Sequence, residues 1–209
     1  MITQLKYTEI APPKKIEQLI IFIHGYGANG KDLLQLAPYF QKQFTNCHFT
    51  APDAPYNTGY PNSYYWFPIE NFTEDHLEKG VQNAAPLLAK FINYCKAKYN
   101  LTNQQITLLG FSQGSLLSLY CGLSQTEAFK AILSFSGGAL SSINKIIKNQ
   151  TPICLIHGLA DEVLNAQYSI NLAENFTQIK HPHKLKLINN LSHSINLEGL
   201  DFAINFLKK

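Results

Sequence analysis

The chain alternates between short apolar runs bounded by Gly, Pro or Asn and longer stretches whose apolar residues recur every three or four positions. The short runs predict strands over 5–10, 19–24, 48–51, 106–111, 131–135, 153–156 and 184–188. The periodic stretches predict helices over 31–43, 74–99, 113–123, 166–176 and 197–207. Leu19-Ile20-Ile21-Phe22-Ile23 is apolar at every position, as a strand covered on both faces must be. Strands interleaved with helices in this way predict an α/β fold on a mostly parallel sheet, with helices on both faces. A single domain over 1–209 is expected, since no repeat, low-complexity segment or linker interrupts the pattern. The stretch 54–71, rich in Pro, Asn, Gly and aromatic residues, is the long irregular segment and is too short for a lid domain.

Composition narrows the function. A chain of 209 residues with 45% hydrophobic and 15% charged residues is expected to form an ordered core, and a net charge of +3 is too small to indicate nucleic acid. All 17 basic residues are Lys, so the planar two-point recognition of phosphate or carboxylate that Arg supplies is missing. Cys47, Cys95, Cys121 and Cys154 are widely spaced, which predicts buried free thiols and no metal site. The segment from Met1 to Ile10 lacks the apolar core and cleavage site of a signal peptide. No run approaches the length of a membrane span. The expectation is a cytoplasmic protein without integral membrane association.

The chemistry centres on Gly110-Phe111-Ser112-Gln113-Gly114, which joins a predicted strand to a predicted helix. A G-x-S-x-G in that position is a nucleophile elbow, whose tight turn leaves no room for a Cβ at either glycine. A serine hydroxyl attacks a carbonyl only when a histidine takes its proton and a carboxylate orients that histidine. Beyond Ser112 the aspartates are Asp161 and Asp201, and the histidines are His157, His181, His183 and His193. Asp161 follows the apolar strand at 153–156 on a loop, whereas Asp201 falls inside the last helix as a surface acid. His193 follows the last strand and precedes the last helix, the place for a base. His181 and His183 flank Pro182 at the other end of that strand, where they are expected to face solvent.

An oxyanion needs two donors. The N–H of Gln113, at the start of a helix, supplies one. The loop His24-Gly25-Tyr26-Gly27-Ala28-Asn29-Gly30 supplies the other, with the Tyr26 N–H as the expected donor. A phosphate loop does not fit, because Gly30-Lys31 leads into Asp32, and a dinucleotide site lacks its acidic ribose partner. No cofactor and no metal are expected.

With these residues in place the chain resembles the phospholipase/carboxylesterase family of α/β-hydrolases, the group that includes acyl-protein thioesterases. The likeness runs almost end to end. It rests on the strand and H-G-x-G-x-x-G of residues 21–30, Ala51-Pro52-Asp53-Ala54-Pro55, Trp66-Phe67, Gly110 to Gly114, Ser134-Phe135-Ser136-Gly137-Gly138, the H-G-x-x-D-x-V of residues 157–163, and His193. The resemblance implies ester or thioester hydrolysis, with Ser112, Asp161 and His193 as triad and Tyr26 and Gln113 as oxyanion donors. It makes Trp66, Phe67 and Leu164 the expected substrate contacts. The substrate would be a small-molecule or lipid-like ester, thioester or lysophospholipid, and the lack of Arg disfavours a charged head group beside the ester. Three positions depart from the family pattern: Ser115 stands where a further Gly is frequent, Leu164-Asn165 where a Pro is common, and Ser192 where a Gly often precedes the histidine.

Two other readings use the same residues. A non-catalytic acyl-binding protein would lack a triad or oxyanion element, and none is lacking. A peptidase or amidase would keep the triad and change the bond cleaved. The exposed aromatics allow a monomer or a weak homodimer.

Overall fold

β2 (Gln18–Ile23) lies between two parallel neighbours, β3 (Cys47–Pro52) and β6 (Ile106–Phe111), so its apolar side chains are covered on both faces. Leu19, Ile21 and Ile23 enter one core while Ile20 and Phe22 enter the other, the alternation that a pleated strand imposes. The computed structural model describes residues 5–12, 15–70, 73–138, 140 and 143–208. The first four residues of the N-terminal reading and Asn71, at the end of the aromatic stretch, lie outside this set.

The sheet continues through β7 (Ala131–Phe135), β8 (Ile153–Gly158) and β9 (His183–Ile188), each parallel to its neighbour. Its order is β1-β3-β2-β6-β7-β8-β9, seven strands among the described residues. β1 (Tyr7–Ile10), at the edge, pairs antiparallel to β3, and is shorter than the run that predicted it. One face carries α3 (Glu74–Tyr99), α4 (Gln113–Ser124), α5 (Ile143–Ile146) and α6 (Gln167–Gln178). The other carries α1 (Gly30–Leu34), α2 (Ala37–Gln41) and α7 (Leu197–Leu207).

The predicted helix over 31–43 is in fact two, α1 and α2. Pro38 has no N–H to give, and its ring excludes a helical carbonyl at Leu34, so the chain breaks and restarts with Pro38 in the first turn of α2. The irregular stretch holds a small hairpin, β4 (Tyr56–Asn57) with β5 (Tyr64–Tyr65). This hairpin bears directly on the site. Parallel strands place all their C-terminal ends on one edge of the sheet, where the loops after β2, β6, β8 and β9 converge.

Candidate active site

Ser112 sits at the turn from β6 into α4 with φ 53° and ψ −118°. This region is strained for a residue with a Cβ and costs about 1–3 kcal/mol. The surroundings enforce it from both sides. The Ser112 N–H donates to the Phe135 carbonyl at 2.9 Å, and its own carbonyl accepts from Ser115 and Leu116. A Cβ on Gly114 would lie 1.9 Å from the Ile23 carbonyl oxygen, and one on Gly110 2.3 Å from that of Gly114. Both elbow glycines are therefore required by close approach, as the motif predicts. Ser115 is accommodated through a buried hydroxyl pair, its Oγ 2.5 Å from Ser134 Oγ.

Asp161 and His193 meet across two loops. His193 Nδ1 lies 2.7 Å from Asp161 Oδ2. The carboxylate is sealed from solvent, and its Oδ1 accepts the N–H groups of Val163 and Leu164, each at 2.9 Å. Burial opposes its ionisation, yet the His193 hydrogen bond and these two backbone donors outweigh it and hold the carboxyl below the usual range. The loops can touch because Gly158 has no side chain: a Cβ there would fall 2.1 Å from the Leu191 carbonyl oxygen. Leu191 also accepts from the Ala160 N–H at 3.0 Å, which ties the Asp161 loop to the His193 loop. The His193 ring packs against Phe111, the residue before Ser112, with centroids 4.9 Å apart. Asp201 is exposed on α7, as expected.

The Gly25–Tyr26 peptide lies against the elbow, since a Cβ on Gly25 would be 3.2 Å from Ser112 Cβ. His24 orients that peptide. Its Nε2 accepts from the Ala54 N–H at 2.9 Å, so Nδ1 carries the proton and donates to the Gly25 carbonyl at 2.7 Å. A trans peptide points its N–H away from its C=O, so fixing the carbonyl fixes the Tyr26 N–H. Burial pushes the His24 ring below the ordinary histidine range and keeps it neutral in this tautomer. Gln113 is the first residue of α4, where an N–H has no acceptor within the helix.

One strap of four residues, Tyr64 to Phe67, fastens both the loop that holds Tyr26 and the start of α4. Tyr64 exchanges backbone hydrogen bonds with Gly27 (2.8 Å) and Ala28 (2.9 Å), and Tyr65 stacks on the Tyr26 ring at 5.3 Å. Trp66 donates its indole N–H to the His24 carbonyl at 2.9 Å. Its backbone N–H and the Phe67 carbonyl both engage the Gln113 side chain. Trp66 and Phe67 line a groove of about 540 Å³ with Tyr56, Tyr65, Gly80 and Ala84. Both residues are buried, so they form its inner wall. Leu164 is buried elsewhere and is absent from that lining; its N–H serves Asp161 and its carbonyl accepts from His157.

His181 corrects an expectation. It is buried, 3% exposed, because Nε2 donates across the sheet edge to the Thr151 carbonyl at 2.9 Å. His183 is half-buried. Two residues that the structure ties to partners far along the chain, His24 to Ala54 and His157 to Ser169, carried no role in the sequence analysis. Each stands at the C-terminal end of a strand or just beyond it, and that position was the available signal. Among the described residues no cluster of His, Cys, Asp and Glu suits a metal ion, and no helix is long and apolar enough to cross a membrane.

A mostly parallel sheet flanked by helices, with a strained serine between β6 and α4, defines an α/β-hydrolase. The family profile described as Phospholipase/Carboxylesterase matches residues 5–209, and the chain belongs to that family. It is 23% identical over 198 residues to Esterase YpfH of Escherichia coli (strain K12), covering 95% of this chain and 85% of that one. It is 28% identical over 203 residues to Acyl-protein thioesterase 1 of Eremothecium gossypii, covering 90% and 86%. The crystal structure of esterase PE8 superposes with a TM-score of 0.93 at 31% identity, over 99% of both chains.

Proposed function

We propose that this hydrolase is a serine carboxylesterase that also accepts acyl thioesters, with Ser112 as nucleophile, His193 as base and Asp161 as its orienting acid. The observation that carries the reading is the 2.7 Å contact of His193 Nδ1 with Asp161, beside a serine held in a strained elbow. With Nδ1 engaged, Nε2 is the nitrogen available to Ser112.

Ser112 Oγ attacks the acyl carbonyl carbon as its proton passes to His193 Nε2. The oxyanion is met by the N–H groups of Tyr26 and Gln113, each worth about 3 kcal/mol in the transition state. Collapse expels the alcohol or thiol, which takes the proton from His193. Water then attacks the acyl carbon and gives its proton to His193; the acyl–Oγ bond breaks, Ser112 Oγ takes that proton back, and the acid is freed. The groove beside Trp66 and Phe67 suits an uncharged acyl chain, and relatives named esterase and acyl-protein thioesterase agree with that chemistry. Four buried free thiols are in keeping with a reducing, cytoplasmic setting.

A fluorophosphonate probe tests the reading. It should label the wild-type protein at Ser112 and leave Ser112→Ala unlabelled; an unlabelled wild type would point to an acyl-binding protein without catalysis. Turnover of p-nitrophenyl esters, thioesters, lysophospholipids and aminoacyl amides ranks the substrate classes.

A further inference from the structure

His157, the last residue but one of β8, is 1% exposed. Its Nε2 is 2.8 Å from the Leu164 carbonyl oxygen and 3.2 Å from Asp161 Oδ2. A carbonyl and an ionised carboxylate only accept, so Nε2 carries the proton. Nδ1 lies 2.7 Å from Ser169 Oγ, which is also 3.0 Å from the Gly137 carbonyl oxygen. Burial holds the ring below the ordinary histidine range and keeps it neutral, so Nδ1 is an acceptor for the Ser169 hydroxyl, whose proton is shared with the Gly137 carbonyl.

A carboxylate has about four lone-pair sites. In Asp161 three of these have donors, Val163 and Leu164 on Oδ1 and His193 on Oδ2, and His157 Nε2, whose N–H also serves the Leu164 carbonyl, stands 3.2 Å from Oδ2 at the fourth. The plane of the carboxylate cannot turn without losing one. His157 also draws negative charge from the same oxygen that His193 uses. The titratable groups meeting here are His193 from the β9–α7 loop, Asp161 from the β8–α6 loop and His157 from β8; α6 contributes neutral Ser169, and β6 the Phe111 ring.

We propose that His157 is a positioning residue for the acid of the triad, donating to Asp161 Oδ2 beside His193 so that the carboxylate is fixed in plane and its pull on the His193 proton is limited. This rests on Ser112, His193 and Asp161 acting as proposed above. Without the His157 donor, charge concentrates on Oδ2 and favours the protonated form of His193. The acidic limb of activity then moves to higher pH.

The test is the pH profile of kcat/KM on a short ester. His157→Leu should lose about 10–100-fold in kcat with KM little changed, the scale seen when the hydrogen-bond partner of a metal-bound histidine is removed. Its acidic limb should rise by roughly half a unit to one unit, a shift set by charge on a neighbouring group. His157→Gln, which keeps an N–H near Nε2, should return the limb to the wild-type position. Ser169→Ala should move it the same way by less. A residue that served only packing would lower Tm without moving the limb, and that result overturns the proposal. Nitrogen NMR of histidine-labelled wild-type protein needs no variant: an Nε2–H tautomer at His157 supports the proposal, and an Nδ1–H tautomer overturns it. Fluorophosphonate labelling separates the two failures, because a wild type unlabelled at Ser112 sinks the triad, whereas labelling with coincident limbs sinks only the role of His157.

Discussion

Gln113 and Trp66 are joined side chain to backbone: the Gln113 Oε1 accepts the Trp66 N–H at 2.8 Å, while its Nε2 donates to the Phe67 carbonyl at 2.7 Å. The amide thus pairs with the strap as a neighbouring strand would. It gives the residue after Ser112 a reason to be Gln that is separate from its backbone N–H. Gln113→Leu leaves both strap groups buried without partners and frees the proposed oxyanion hole to relax. We expect kcat to fall about 10–100-fold with a small change in KM, less than complete loss of an oxyanion donor. Steady-state kinetics on p-nitrophenyl acetate decide it; an unchanged kcat removes the strap from catalysis.

Ser112→Ala should reduce kcat by roughly 10⁴–10⁶-fold, since triad members act as a unit. Because alanine accepts the same backbone site no better than serine does, Tm should change little. Residual activity near that of wild type would mean another nucleophile.

Gly80 on α3 has no space for a side chain: a Cβ would sit 2.2 Å from the Phe67 ring. Gly80→Ala should push that ring into the groove it lines and shorten the acyl chain the enzyme accepts. A series of p-nitrophenyl esters of rising chain length reads this as a lower optimum, with acetate turnover least affected. An unmoved optimum would place the acyl chain elsewhere.

Stability should depend on acid through buried histidines. In His24, His48, His157 and His181 burial depresses the pKa in the folded state. The unfolded chain binds protons below about pH 6.5 while the folded one stays neutral. Their contribution is therefore complete above that pH and is lost as pH falls through the window beneath it, by at most about 1.4 kcal/mol per pH unit for each. Asp161, also depressed, adds its loss only below about pH 4. Melting curves at fixed ionic strength should be level from pH 8 to 7 and drop from roughly pH 6.5 downward. His181→Gln should make that drop shallower. A Tm constant down to pH 4 would contradict neutral burial.

What was legible in the sequence is what local pattern determines. β6, α4 and the turn between them follow from an apolar run, two glycines and a good helix start, and β7, α3 and α7 fall where their periodicity predicts. Asp161 and His193 could be singled out because topology puts both at strand ends, and the structure brings them into contact. The missed features depend on distant partners. His181 looks exposed beside Pro182 until the Thr151 carbonyl arrives from thirty residues away. His24 finds Ala54, His157 finds Ser169, and Gln113 finds the strap, each by a contact that no spacing along the chain announces. The split of α1 from α2 was within reach, because Pro38 stands in the sequence.

The hairpin that carries the strap is anchored at its base and, through Asn62 and Ser63, on the Gly27–Asn29 loop, while the tip around Tyr60 stands in solvent. Its end is closed by Asn57 on the Tyr60 carbonyl and by Thr58 on Ser63, whose hydroxyl also donates to the Gly27 carbonyl, and Tyr60 is 74% exposed. Evolution can therefore lengthen, shorten or recolour the segment between Thr58 and Pro61 without unfastening either the Gly25–Ala28 loop or the start of α4. Diversity among descendants of this chain should gather at that tip, while the chemistry beneath is inherited unchanged.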